Sequence, residues 1–258
     1  MTATRFTTPA ALDADRRVRI DAVGAGGNGS MLLDGLARLD RAIRAQGGQG
    51  FSVMVYDDDT VSEANVGRQR FTPHDIGFNK ALLLVHRLNA FYDLDWHATP
   101  DRYDPAQRYA GADFIVSCVD SGAFRHTLGK SGSHHGSEAL WLDTGNGADS
   151  GQVVLGHFGI PPRGLRLPNV YDLYGDGLLE GDTGDLPSCS LAEALLRQRW
   201  SVNPIIAATA LSILDSLFLR GGTAHHGALV RIDPISIVPL LVDPDVWADM
   251  GYITARKT

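Results

Sequence analysis

An apolar stretch, Val18 to Val23, runs into Gly24-Ala25-Gly26-Gly27-Asn28-Gly29, and a helix-like stretch from Ser30 to Ile43 follows directly. A strand led through a glycine-rich turn into a helix is the opening of a βαβ unit, so it commits the chain to a parallel sheet covered by helices. Glycines let backbone N–H groups approach a phosphate closely, and the helix N-terminus behind them adds partial positive charge. Taken alone, the turn suits NAD, FAD, S-adenosylmethionine or ATP equally well, and it also suits plain close packing of helix on strand.

The residues that follow separate these possibilities. The next strand-like run, Phe51 to Tyr56, ends in Asp57-Asp58-Asp59. A carboxylate at the carboxyl end of the second strand is placed to grip a ribose diol, so Asp57 or Asp59 is expected to accept from ribose hydroxyls. Then come Asn65, Arg68 and Gln69, and Lys80 at a helix start. Hydride transfer has no use for two cations and an amide converging on one helix N-terminus, whereas a triphosphate does. Arg68 can hold phosphate oxygens in a bidentate fork and Lys80 can act as a point charge, neutralising what builds up at an α-phosphate as pyrophosphate leaves. Asp120 ends the strand-like run Ala112 to Val119 at the same edge of the sheet, where a hard carboxylate oxygen suits Mg²⁺.

This ordered set, Gly24-x-Gly-Gly-x-Gly-Ser30, Asp57-x-Asp59-x-Val61, Asn65-x-x-Arg68-Gln69, Lys80 and Val119-Asp120, resembles the adenylation domain of the ThiF/MoeB/ubiquitin-activating superfamily. Bacterial ThiF-type proteins of PRTRC cassettes are the subgroup it resembles most. The resemblance runs from about Val18 to Val242. It implies that Gly24, Gly26, Gly27, Asn28, Gly29 and Gln69 belong to the nucleotide site, that Asp57 holds the ribose, that Asn65, Arg68 and Lys80 hold the phosphates, and that Asp120 holds magnesium. The implied reaction is attack by the C-terminal carboxylate of a ubiquitin-like or sulfur-carrier-like protein ending in Gly-Gly on the α-phosphate of ATP. A conjugating enzyme as a later partner and a homodimer are further implications. Some members lend an N-terminal arginine to the neighbouring site. Arg5, Arg16 and Arg17 are available here, although the usual Arg-Tyr-x-Arg-Gln arm is absent.

Composition narrows the function class. With 258 residues, 44% of them hydrophobic, the chain can bury one large core, and an α/β unit of this length is expected to be a single domain. A formal net charge of -7 and the lack of a basic run argue against nucleic-acid binding. The longest apolar stretch, around Ile205 to Leu219, is broken by Thr209, Ser212, Asp215 and Ser216, and it reads as a buried helix, not a membrane span. Met1 to Arg17 lacks the apolar centre of a signal peptide, and the two cysteines form no disulfide framework, so a cytoplasmic protein is expected. Without paired CxxC motifs, the structural zinc of several MoeB-type relatives is not expected either.

Strands are expected at 18–24, 51–57, 94–99, 112–119 and 139–144, with helices at 28–45, 77–91, 121–133 and a short one near 104–110. The order predicts a Rossmann-like, mostly parallel sheet with helices on both faces. After Asp143 the pattern changes to an antiparallel part. It comprises a strand over 152–158, a crossover loop at about 160–189, helices over 190–200 and 204–220, and two strands split by Asp233-Pro234. Asp143 to Gly147 reads equally as a contact to the substrate tail or as a β-turn. The pairs His134-His135 and His225-His226 read as surface loops, because adjacent rings rarely serve one metal.

A crossover of that length inside a compact domain is usually functional or mobile. It ends in Leu186-Pro187-Ser188-Cys189-Ser190-Leu191, which resembles the segment carrying the thioester cysteine of eukaryotic activating enzymes. Ser190-x-x-Glu193 is a capping-box pattern that puts Cys189 just before a helix, where the thiolate is favoured, although Glu193 opposes this. Cys118 lies in a central strand and is expected to be a core residue. The expected function is therefore adenylation followed by thioester transfer to Cys189. The alternatives are adenylation alone in the MoeB manner, a Rossmann NAD(P) oxidoreductase, or a nucleotide-binding adaptor that has lost catalysis.

Overall fold

The computed structural model describes residues 4–9, 12, 15–105, 111–133, 136–180, 192, 195 and 197–252. After a short β1 (Phe6–Thr7), β2 (Val18–Val23) passes through the glycine turn into α1 (Gly27–Ala45) and returns as β3 (Phe51–Tyr56). The two strands pair in parallel from Val18↔Phe51 to Val23↔Tyr56, so the glycine turn and the acidic run leave the sheet at one edge. The parallel part is completed by α2 (Lys80–Tyr92), β4 (His97–Thr99), β5 (Phe114–Ser117), α3 (Gly122–Gly132) and β6 (Leu140–Asn146).

At β6 the direction of pairing changes. Gly147 N–H donates to Ser150 O across a tight turn, and β7 (Ser150–His157) runs back antiparallel to β6. A short turn permits only this arrangement, since a parallel return needs a long crossover. The short helices α4 (Val170–Tyr174) and α5 (Gly177–Glu180) interrupt the expected loop, and α6 (Val202–Leu219) leads to β8 (Gly222–Thr223), β9 (His225–Ile232), β10 (Ile235–Leu241) and α7 (Pro244–Asp249). The eight-stranded sheet has the order β10-β9-β7-β6-β5-β2-β3-β4, while β1 and β8 pair separately. The fold is thus α/β and Rossmann-like, mostly parallel with an antiparallel C-terminal part.

The central strands are buried on both faces, and their period of two divides the core. Phe114 and Val116 of β5, Leu140 and Leu142 of β6, and Val153 and Leu155 of β7 point to the cluster that includes α1 and α6. Ile115, Trp141 and Val154 point to the opposite cluster with Leu128 of α3 and Val170 of α4. The apolar stretch near Ile205 is α6. Its mean hydropathy of 1.7 over 18 residues would suit a membrane span, yet Ile206, Ala210, Ile213, Leu214 and Leu217 are packed in the core, as expected for a buried helix.

Several expectations need correction. α2 begins at Lys80 and not at 77, because Asn79 caps it, accepting from Leu82 N–H at 3.0 Å. β4 is shorter than expected, and β6 extends to Asn146. The His225-His226 pair is not a surface loop. It begins β9, and His226 is fully buried, with Nδ1 2.8 Å from Leu155 O and Nε2 accepting from Trp247 Nε1 at 2.9 Å. Both ring nitrogens are satisfied, which is what makes the burial tolerable. The N-terminal arginines are held within their own chain: Arg16 by Asp113, Arg17 by Asp95, and Arg5 by the carbonyls of Arg220 and Gly222. His134, His135, the 106–110 part of the expected short helix, and Cys189 with Ser190 and Glu193 lie outside the described residues.

Candidate nucleotide site

The carboxyl ends of β2, β3 and β5 meet the N-termini of α1, α2 and α6 around a cavity of about 430 Å³. This is where ligands bind in open α/β sheets. Of the residues singled out from sequence, Gly24, Gly26, Gly27, Asn28, Asp57, Asp59, Arg68, Gln69, Lys80 and Asp120 line it. Gly29 and Asn65 are not among the lining residues.

The glycine turn has two distinct requirements. Gly24 has φ +93°, and a Cβ there would sit 2.9 Å from Cys118 O. A side chain is therefore excluded both by conformation and by space. Gly29 lies under the turn, where a Cβ would come within 2.0 Å of Gly24 O, so it serves close helix-strand packing and not ligand contact. Above it, α1 starts at N-cap Gly26 with no side-chain cap and no acidic residue in its first turn. The first N–H groups and the positive end of this 19-residue helix are thereby left to an anion.

Asp57 braces this turn. Its carboxylate accepts from Ala25 N–H at 2.5 Å and Asp59 N–H at 2.9 Å. Burial raises its pKa, opposed by these two N–H groups and by Lys80. Each carboxylate oxygen has a second lone pair, so gripping a ribose diol remains open to it. Asn79 links this acidic segment to α2, donating to Asp57 O at 2.7 Å and Asp59 O at 3.1 Å. Lys80, buried at the start of α2, reaches back to Asp59 Oδ2 at 2.8 Å.

Arg68 differs from its neighbours in charge balance. It is half-buried, its Nη1 donates to the neutral Gln198 Oε1 at 3.3 Å, and among the described residues no carboxylate pairs with it. Its Nε is buried with no partner, and desolvation lowers its pKa. Asn28 Oδ1 and Gln69 Oε1 are likewise buried without a donor. Three unmet polar atoms in one cavity, one of them on a desolvated cation, fit a ligand that carries both an anionic group and hydroxyl or amine donors. ATP has both. Asn65 lies in the turn before Arg68. Its Oδ1 accepts from Ser62 N–H at 2.9 Å, and its carbonyl accepts from the N–H groups of Gln69 at 2.9 Å and Arg68 at 3.3 Å. These bonds shape the turn that presents Arg68 and Gln69, and they engage its acceptors, not the Nδ2 that would donate to a phosphate.

Asp120 is exposed just beyond β5, and its carboxylate makes no hydrogen bond or ion pair with the described residues. The carboxylates of Asp57, Asp58 and Asp59 also lie within 4.8 Å of one another. Those three are engaged, however: Asp57 by backbone, Asp59 by Lys80, and Asp58 by Arg102 at 3.4 Å. Asp120 is the better hard-oxygen donor for Mg²⁺. It also lines a second, adjoining cavity of about 810 Å³, walled by Gln152, Tyr174, Leu229 and Val238. Asn146 is shared by the two cavities as well.

Asn146, within the stretch left open as a tail contact or a β-turn, does line the cavity, whereas Gln198 and Asn203 were missed from sequence. Asn146 Oδ1 accepts from Asn28 Nδ2 at 3.5 Å and its Nδ2 donates to Asn203 Oδ1 at 2.9 Å, forming an amide relay from α1 through β6 to α6. Gln198 bridges Arg68 to Gly147 O. The available signal was Asn203, an amide in the first turn of a helix whose next residues, Pro204 to Ala208, carry no polar side chain. Cys118 departs from the expected core position: it lies just beyond β5, is only partly buried and lines the cavity, and desolvation pushes its thiol up to about 12.

A family model described as the ThiF family matches residues 3–214. Among solved structures, E. coli MccB aligns at 15% identity with a TM-score of 0.62, covering 91% of this chain and 65% of MccB. MccB with ATP aligns at 15% identity with a TM-score of 0.59 over 90% of this chain and 65% of that one. PaaA aligns at 14% identity with a TM-score of 0.58, over 87% and 64% respectively. The chain thus spans a little under two thirds of the length of these structures, and the likeness is one of fold. A search of curated protein sequences finds no match. Matched over most of its length, the chain belongs to the ThiF family.

Proposed function

We propose that this protein uses ATP with Mg²⁺ to adenylate the C-terminal carboxylate of a ubiquitin-like or sulfur-carrier-like protein ending in Gly-Gly. The observation that carries the reading is Arg68, a desolvated cation with an unmet Nε, beside Lys80 and the uncapped N-terminus of α1. Solved structures of MccB with ATP and with MccA support it. The substrate tail lies along the 810 Å³ cavity and meets the nucleotide at Asp120 and Asn146, the residues common to both cavities. One carboxylate oxygen attacks the α-phosphorus, the bond from that phosphorus to the α,β-bridging oxygen breaks, and an acyl adenylate forms as the β- and γ-phosphates leave together as pyrophosphate. Arg68 and Lys80 hold the charge that develops on the phosphate oxygens, and Asp57 fixes the ribose. Mg²⁺ at Asp120 would supply charge neutralisation to the triphosphate.

The test is isotope exchange from pyrophosphate into ATP with a ubiquitin-like protein ending in Gly-Gly, set against the same protein lacking that dipeptide. Exchange that needs the dipeptide supports the reading. NAD binding with no exchange would instead favour an oxidoreductase.

The acyl adenylate is then attacked by the thiolate of Cys189, forming a thioester and releasing AMP, before transfer to a conjugating enzyme. The setting is a homodimer in a reducing cytoplasm. Cys189→Ala should keep pyrophosphate exchange and lose a covalent adduct that wild type forms and thiol reductant removes. Robust exchange without such an adduct in wild type would leave adenylation as the whole activity.

A further inference from the structure

The geometry points to Arg125 as a positioning residue that sets the stance of Asp120 for the metal of the ATP complex, an inference that rests on the proposed function. Arg125 lies one turn into α3, with its side chain carried back over the ends of β5 and β6. Nε donates to both oxygens of Asp143, at 2.9 and 3.0 Å. Nη2 donates to Val119 O at 2.5 Å and Thr144 O at 3.1 Å. The carbonyl it grips on β5 belongs to the residue immediately before Asp120. One rigid guanidinium therefore ties the root of Asp120 to the end of β6, which carries Asn146, the other residue shared by the two cavities.

The arrangement is fixed from below. Asp143 Oδ1 accepts from Ser117 Oγ at 2.5 Å, and Ser117 Oγ accepts from Trp141 Nε1 at 2.7 Å, all in the core. Both charged side chains are nearly inaccessible, at 9% for Arg125 and 1% for Asp143. A buried ion pair adds little net stability compared with apolar packing of the same volume, so stability alone is a weak reason for it. What it does supply is placement, because lysine cannot donate to a carboxylate and two carbonyls in one plane.

The test is ATP binding to the full chain, read with a fluorescent ATP analogue and titrated with MgCl₂ against EDTA. Arg125→Lys should keep metal-free affinity within about twofold while raising the Mg²⁺ midpoint about tenfold or more, as loss of a residue behind a metal ligand does. Arg125→Met/Asp143→Leu, which removes both buried charges together, should show the same shift. An unshifted midpoint in either folded variant, or failure of both to fold, overturns the proposal in favour of a purely structural pair. Asp120→Ala is titrated alongside. It should lose the Mg²⁺-dependent tightening while keeping metal-free binding to the α1 N-terminus. If Asp120→Ala retains normal metal dependence, the assignment of Asp120 fails and takes this proposal with it. If Asp120→Ala loses it and the Arg125 variants do not, only this proposal fails.

Discussion

Arg68→Ala and Lys80→Ala are each expected to slow pyrophosphate exchange by about 10²-fold or more, as loss of one preorganised donor at a developing charge does. The fold should be unaffected. Among the described residues the Arg68 side chain is tied by a 3.3 Å contact to Gln198, and it is held in a desolvated position that lowers its pKa. Removing it should if anything relieve the apo protein. Lys80 stands differently, because its Nζ already pairs with Asp59, which is exposed. A triphosphate must compete with that carboxylate, so Asp59→Asn should tighten ATP binding modestly where Lys80→Ala weakens it. Arg68→Lys should recover little, since a point charge cannot reproduce the fork. Exchange at the wild-type rate in Arg68→Ala, with cognate substrate, would remove the cation from the proposed site.

The second large effect is on stability in acid. His157 and His226 are both buried, and burial lowers both pKa values to about 4. In the unfolded chain each titrates near 6.5, so between about 6.5 and 4 the unfolded state binds more protons and stability falls as the pH falls. At roughly 1.4 kcal/mol per pH unit over two to three units, each histidine removes on the order of 3 kcal/mol by pH 4. The two together are comparable with the whole stability of a typical domain, about 5–15 kcal/mol. Below that window the paired carboxylates take over, since Asp75 beside Arg87 and Asp113 beside Arg16 have lowered pKa values and lose their partners' support only on protonation. Chemical denaturation from pH 7 to 4 checks this. The slope should be shallower in His226→Gln, which can keep a hydrogen bond to Leu155 O without titrating, whereas an equal slope would assign the acid sensitivity elsewhere.

His226 also shows where reading the chain in one dimension stops. A pair of histidines beside Gly227 looks like a loop by composition, and only Trp247 of α7 and Leu155 of β7, both remote in sequence, make a buried ring acceptable. Asn65 teaches the same lesson within the site. Its identity and spacing suit a phosphate ligand, and Ser62 N–H, by holding its Oδ1, fixes which way the donating Nδ2 faces, which depends on how the chain turns between β3 and α2.

What the sequence by itself determined was whatever local geometry compels. The Val18–Val23 strand, the glycine turn and the α1 helix follow from periodicity and from the steric freedom of glycine, and a parallel sheet follows from repeating that unit. Asp57 and Asp120 could be grouped without a structure because strands of a parallel sheet all end at one edge, so residues just after them are neighbours, whereas Arg68, Gln69 and Lys80, farther along the chain, were joined to them by the resemblance. Tertiary structure alone decided which side chains have unmet hydrogen-bonding capacity and which are already engaged. Asp59 is held by Lys80, Asn65 by Ser62 and Asp143 by Arg125, while Arg68 Nε is left over. A side chain's polar capacity is set by its type, but whether that capacity is available is set by what long-range packing places within 3 Å of it.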